Sequence, residues 1–140
     1  MKKGYSTMKF YIGSGFQNCE LVNHYAKELE KCGWTHTYNW TSDIHREVTK
    51  TELIKYAELE RQAIFNSDIV IILLPAGRGT HIELGMALAQ RKKIFLCTAE
   101  KEVFQMEHTV NFYLLPSITR LVGTVDDNVK AILLYGYKKA

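Results

Sequence analysis

Apolar positions along the chain fall into two kinds of run: short stretches of continuous or alternating hydrophobicity, and longer ones in which they return every three or four residues. Residues 9–13 alternate and then break at Gly13-Ser14-Gly15, which predicts a strand ending in a tight turn. Leu21, Val22, Tyr25, Ala26 and Leu29 follow at helical spacing, with Asn18 as N-cap and Gly33 where a C′ glycine belongs. Residues 35–40, rich in Thr and aromatic side chains, predict a second strand, and the polar residues 41–50 a loop. Thr51 is placed to cap a second helix running through Leu53, Ile54, Ala57 and Ile64 to about Asn66. Residues 69–74 form a continuous apolar run, the mark of a strand buried on both faces at the centre of a sheet. A third helix begins near Thr80 and ends at Arg91-Lys92-Lys93, cations suited to a helix C-terminus, before the apolar strand 94–97. Residues 98–116 carry no clear period. Residues 118–122 read as a last strand, and Thr124, with Asp126 and Asp127 in the first turn, starts a final helix reaching about Tyr137.

Strands alternating with helices predict an α/β fold: a doubly wound, mainly parallel sheet of five strands in the order 2-1-3-4-5, a Rossmann- or flavodoxin-like three-layer sandwich with right-handed crossovers. In such sheets ligands bind beyond the carboxyl ends of the strands, where the winding direction reverses, here between the first and third strands. The two glycine-rich turns that follow a strand, Gly13-Ser14-Gly15 and Gly77-Arg78-Gly79, lie on those two strands. Asp68 begins the third strand, belongs to the opposite end of the sheet and reads as structural.

The second glycine turn opens the run Gly77-Arg78-Gly79-Thr80-His81-Ile82-Glu83-Leu84-Gly85. Gly77 and Gly79 let a ligand approach the backbone, a helix start offers free N–H groups, and Gly85, Ala87 and Ala89 are small enough to pack closely on a sheet. Glu83 has two readings. It is a carboxylate facing a ligand, or, in the spacing Thr80-x-x-Glu83, half of a capping box. Phe16 and Trp40 fall beside the same crevice and either stack on a flat ring or pack its rim. Arg78 either pairs with a phosphate or is solvated, and Ser14 with the turn amides offers further phosphate donors. Neither turn is a Walker loop or a GxGxxG fingerprint, which disfavours ATP and dinucleotides.

With 140 residues and 46% hydrophobic content, the chain is expected to form one domain over residues 8–140, with residues 1–7 a flexible tail. The net charge of +3 comes from Lys and Arg mixed with acids, so no stripe for a nucleic-acid polymer stands out. Three cysteines with no CxxC pair and no secretory signal are expected to be reduced thiols in a cytoplasmic protein. The five histidines have no metal-ligand spacing, so no metal and no cofactor are expected, and no segment is long enough to span a membrane.

Residues 68–89, with Gly-Arg-Gly-Thr-His-Ile-Glu-Leu-Gly at their heart, resemble the nucleoside 2-deoxyribosyltransferases and their relatives that hydrolyse nucleoside 5′-monophosphates. The start Tyr11-Ile12-Gly13-Ser14-Gly15-Phe16 is similar to that family's first strand and loop, which puts Tyr11 among the substrate-binding residues. The resemblance implies that Glu83 is a nucleophile attacking the anomeric carbon as the base leaves, an oxocarbenium-like process that a carboxylate suits. It implies a second acid before the third strand, which maps to Glu60, with Glu58 as its neighbour; as a bare helix residue Glu60 reads as solvent-facing. It implies a small nucleoside or nucleotide as partner and a homodimer or higher homo-oligomer. The expected function is cleavage of an N-glycosidic bond with deoxyribosyl transfer to another base. The alternatives are hydrolysis of nucleoside 5′-monophosphates and, in another class, a non-catalytic nucleotide-binding or sensing module.

Overall fold

The computed structural model describes residues 7–44 and 47–139; the expected tail, apart from Thr7, and His45 and Arg46 of the expected loop lie outside them. Five strands, β1 (Lys9–Ser14), β2 (Thr35–His36), β3 (Ile69–Leu73), β4 (Lys93–Thr98) and β5 (Ile118–Val122), form one parallel sheet in the order β2-β1-β3-β4-β5. Four helices accompany them: α1 (Cys19–Lys31), α2 (Lys50–Asn66), α3 (Arg78–Ala89) and α4 (Val125–Lys139). The winding follows from handedness. The chain steps outward from β1 to β2 and then back across β1 to β3, so right-handed crossovers put α1 on one face and α2 with α3 on the other. Accordingly α1 packs with α4, and α2 with α3.

All five residues of β3 are buried, as expected of a strand covered on both faces. Alternation along β1 turns Phe10 toward Trp34 (ring centroids 6.4 Å apart) and sends Tyr11 and Gly13 to the opposite face, under α3.

Several boundaries differ from the sequence expectation. β2 ends at His36, short of Trp40. Thr37 still donates its N–H to Phe10 O (2.9 Å), but the Asn39 side chain then accepts from Thr41 N (3.1 Å), and this local turn starts the 3-10 segment Trp40–Asp43. The cap of α2 is Thr49, two residues before the expected Thr51, because Thr49 and Glu52 complete a reciprocal capping box. Asn18 occupies the N-cap of α1, yet its amide donates to Ser14 Oγ (2.8 Å) instead of capping the helix. Of the small residues on α3 only Ala87 packs on the sheet; Gly85 and Ala89 are exposed. Gly33 has the left-handed φ of 87° that a C′ position requires. Thr124 caps α4 as expected, accepting from Asp127 N at 3.1 Å. The unpatterned residues 98–116 contain two 3-10 turns, Lys101–Phe104 and Asn111–Leu114. Among the described residues no helix is long and apolar enough to cross a membrane.

Candidate active site

The cleft opens where the winding reverses, between the turns that follow β1 and β3. Its walls are residues 14–17, residues 77–80, Trp40, Glu60 and Glu83, around a space of about 390 Å³. Thus Glu83, Glu60, Ser14, Phe16, Trp40, Gly77, Arg78 and Gly79 share one cleft. Tyr11 and Gly13 lie beneath it.

The N-cap of α3 is Gly77, and the first helical hydrogen bond runs from His81 N to Gly77 O (3.1 Å). Thr80 is therefore inside the first turn and no capping box forms. Released from that role, the Glu83 carboxyl is buried and accepts the Tyr11 O–H at Oε2 (2.6 Å). Its other oxygen lies against the Gly13 backbone, where a Cβ would stand 2.7 Å from Oε1. Gly13 is thus the residue that lets a carboxyl reach the strand. The β1–β3 register puts Gly13 beside Ile72, so neither backbone has room to retreat.

Glu60 reaches the pair from α2 and is half-buried, not solvent-facing, while Glu58 is the exposed neighbour and is paired with Arg61 (2.8 Å). Desolvation pushes the Glu83 carboxyl far above the ordinary carboxylate range, and a hydrogen bond with Glu60 adds to this, whereas the bond from Tyr11 favours the anion. Burial and the charge of Glu83 likewise hold the Tyr11 phenol well above its usual value, which keeps it a donor.

At the start of the same helix the amides of Arg78, Gly79 and Thr80 precede the first helical hydrogen bond, and these residues line the cleft with the positive end of α3. A Cβ on Gly77 or Gly79 would meet nothing within 4 Å, so both face open space. Ser14 is less available than the sequence suggests. Its hydroxyl donates to Leu73 O (2.7 Å) and accepts from Asn18, which makes it a brace between β1 and β3. His81 secures the helix start: Nδ1–H donates to Gly77 O at 2.8 Å, and Nε2 is hydrogen-bonded with the Tyr113 hydroxyl at 2.7 Å.

Beside this cleft, and sharing Phe16, Trp40 and Glu60 with it, is a second cavity of about 460 Å³ walled also by Tyr38, Asp43 and Tyr56. Trp40 is buried and spends its Nε1–H on Ile12 O (2.7 Å), while Phe16 is 78% exposed and meets Trp40 edge-on, centroids 6.0 Å apart. Trp40 is therefore a wall and Phe16 a free ring at the mouth. Gln17, Tyr38, Asp43 and Tyr56 were not expected at the site. The Thr49-x-x-Glu52 box was the one sequence signal that fixes the start of α2 and hence the placing of Tyr56.

No family model matches the chain, and no curated protein matches it by sequence. Among solved structures it is similar to the Clostridium botulinum CMP N-glycosidase BcmB, at 21% identity and a TM-score of 0.56, over 91% of this chain and 98% of that one. The chain has the five-stranded, doubly wound α/β fold of that nucleotide N-glycosidase.

Proposed function

We propose that this protein cleaves the N-glycosidic bond of a nucleoside 5′-monophosphate, with Glu83 as nucleophile. The observation that carries the reading is the buried Glu83 carboxyl, held by the Tyr11 hydroxyl at 2.6 Å in a cleft that is also lined by the N-terminus of its own helix. The fold neighbour's activity on CMP supports the same choice.

In this reading the phosphate sits on the amides that open α3, with Arg78 as its cation, and the sugar lies over Glu83. In the substrate complex the proton passes from Glu83 to Glu60 across their hydrogen bond, and the Tyr11 O–H favours the Glu83 anion so formed. Glu83 Oε attacks C1′ as the C1′–N bond breaks, and the bonding pair leaves on the base, which takes the Glu60 proton. Water then attacks C1′ of the glycosyl-enzyme, Glu60 accepts its proton and Glu83 departs. Base and sugar phosphate are the products.

Transfer to a second base is the other reading, favoured by the adjoining cavity, which gives an incoming base somewhere to wait. Both readings treat residues 8–140 as one catalytic unit and include a homo-oligomer, checked by light scattering. Chromatography of incubations with each ribo- and deoxyribonucleoside and its monophosphate, with and without a second free base, separates them. Free base from monophosphates supports hydrolysis; new nucleoside formed only with acceptor supports transfer. Base release by Glu83→Ala would overturn the assignment of the nucleophile, and tight binding without release by the unaltered protein would favour a sensing module.

A further inference from the structure

We infer that Asp43 selects substrates whose base carries an exocyclic amino group. The inference rests on the N-glycosidase reading only in taking the second cavity as the place of the base, since that cavity joins the Glu83 cleft at Phe16, Trp40 and Glu60. Its far wall is apolar: Ile44, Val48, Leu53 and Ala57. The polar groups there are mostly committed. Trp40 donates to Ile12 O, and the Tyr56 hydroxyl is directed at Glu52 (3.5 Å).

Asp43 differs. It lines the cavity, and its Oδ2 accepts the Tyr38 hydroxyl, which fixes the carboxyl and leaves its Oδ1 to accept from a ligand. A carboxylate only accepts. Cytosine or adenine brings an amino N–H to such an acceptor, whereas uracil or hypoxanthine brings a carbonyl oxygen in the same place and leaves two acceptors facing each other. Once the bound base has displaced water, an unmet pair of acceptors corresponds to about a ten- to hundredfold preference for the amino base.

The test compares CMP with UMP and AMP with IMP, each in ribo and deoxy form, since each pair exchanges amino for oxo on one frame. Affinities are measured by calorimetry on the Glu83→Ala protein, with and without Asp43→Asn, and base release is measured on the chain with Glu83 intact. The amino partner of each pair is expected to bind and react about ten- to a hundredfold better. In Asp43→Asn, Oδ1 keeps the Tyr38 hydroxyl and the amide N–H turns to the cavity, so the ratio collapses or inverts. Tyr38→Phe removes the bond that fixes the carboxyl but leaves an acceptor-only group at the cavity, so the amino partner is still preferred, which gives a second readout should Asp43→Asn fail to fold. Preference for the oxo partner, a ratio unmoved by Asp43→Asn, or a ratio lost in Tyr38→Phe overturns the inference. Asp43-dependent discrimination without base release would refute the cleavage reading and leave Asp43 its role; release with no such discrimination does the reverse, and binding of none of the four overturns both.

Discussion

Gly13→Ala is the smallest change that tests whether the strand itself sets the position of Glu83. The added Cβ would stand 2.7 Å from Glu83 Oε1, 3.2 Å from Ile72 Cδ1 and 3.4 Å from Thr80 Cγ2. Ordinary contact begins at 3.4 Å, so the carboxyl has to move by about 0.7 Å, because β1 is pinned to β3 and Ile72 is fully buried. That movement strains the 2.6 Å bond from Tyr11 and shifts the nucleophile relative to the sugar. Overpacking of this kind costs about 1–3 kcal/mol, and a misplacement approaching 1 Å lowers a rate by about 10²-fold. We expect a thermal midpoint lower by several degrees and a base-release kcat lower by about 30- to 100-fold, with KM changed much less. Gly79→Ala is the control: its Cβ meets nothing within 4 Å and lies in a helix, so stability holds or rises. A Gly13→Ala protein with unchanged midpoint and kcat would refute the claim that Gly13 is required by the carboxyl.

Glu83→Gln keeps an acceptor for Tyr11 and removes the charge, so turnover is lost while stability changes with pH. Because the folded pKa is raised, the stability that Glu83 contributes is present below its unfolded value near 4.3 and is lost as pH rises through the folded value; calorimetric scans are expected to show equal midpoints at pH 4 and the variant higher by about 2 kcal/mol or more at pH 9. Tyr11→Phe removes the one hydrogen bond that lowers the Glu83 pKa, so the acid limb of the kcat/KM profile moves to higher pH; an unmoved limb would show that Tyr11 does not tune the carboxyl. Thr49→Ala removes the hydroxyl that accepts from Glu52 N while the backbone N–H of residue 49 keeps its bond to the Glu52 carboxyl, and it is expected to lower stability by about 1 kcal/mol in urea titration.

The sheet was legible because its signals are local. The all-apolar β3, the two glycine turns and the left-handed Gly33 each announce themselves within a few residues, the doubly wound class supplies the strand order, and the handedness rule then sets the helix faces. Caps were less so, since Thr49 and Thr51 stand two apart before the same helix and only the Glu at the third position separates them. Glu83 was ambiguous for a deeper reason: a capping box and a carboxyl turned to the sheet use the same spacing from Thr80. The choice is made by Gly77 taking the cap and by Tyr11, 72 residues away, taking the carboxyl. Glu60 was reached only through the family resemblance, since as a bare helix residue it reads as solvent-facing; its half-buried place, one turn before the buried Ala63 and Ile64, is set by the packing of α2 on α3. Asp43 could not be placed, because an irregular turn set by Asn39 has no period to read.

The chemistry of the floor of the cleft argues against a merely structural Glu83. Burial, with Glu60 beside it, holds the Glu83 carboxyl far above the ordinary carboxylate range, so the fold works against the ionised form. A glutamine would satisfy Tyr11 without that cost, and a leucine with a phenylalanine at position 11 would fill the space with no polar group left to satisfy. Neither would carry a charge. The fold instead removes a side chain at Gly13, tethers the helix start through His81 and Tyr113, and sets a second acid opposite. Packing alone asks for none of these, whereas a group that must meet developing positive charge on a sugar asks for a desolvated carboxylate, a donor that holds it and a neighbour that carries the proton.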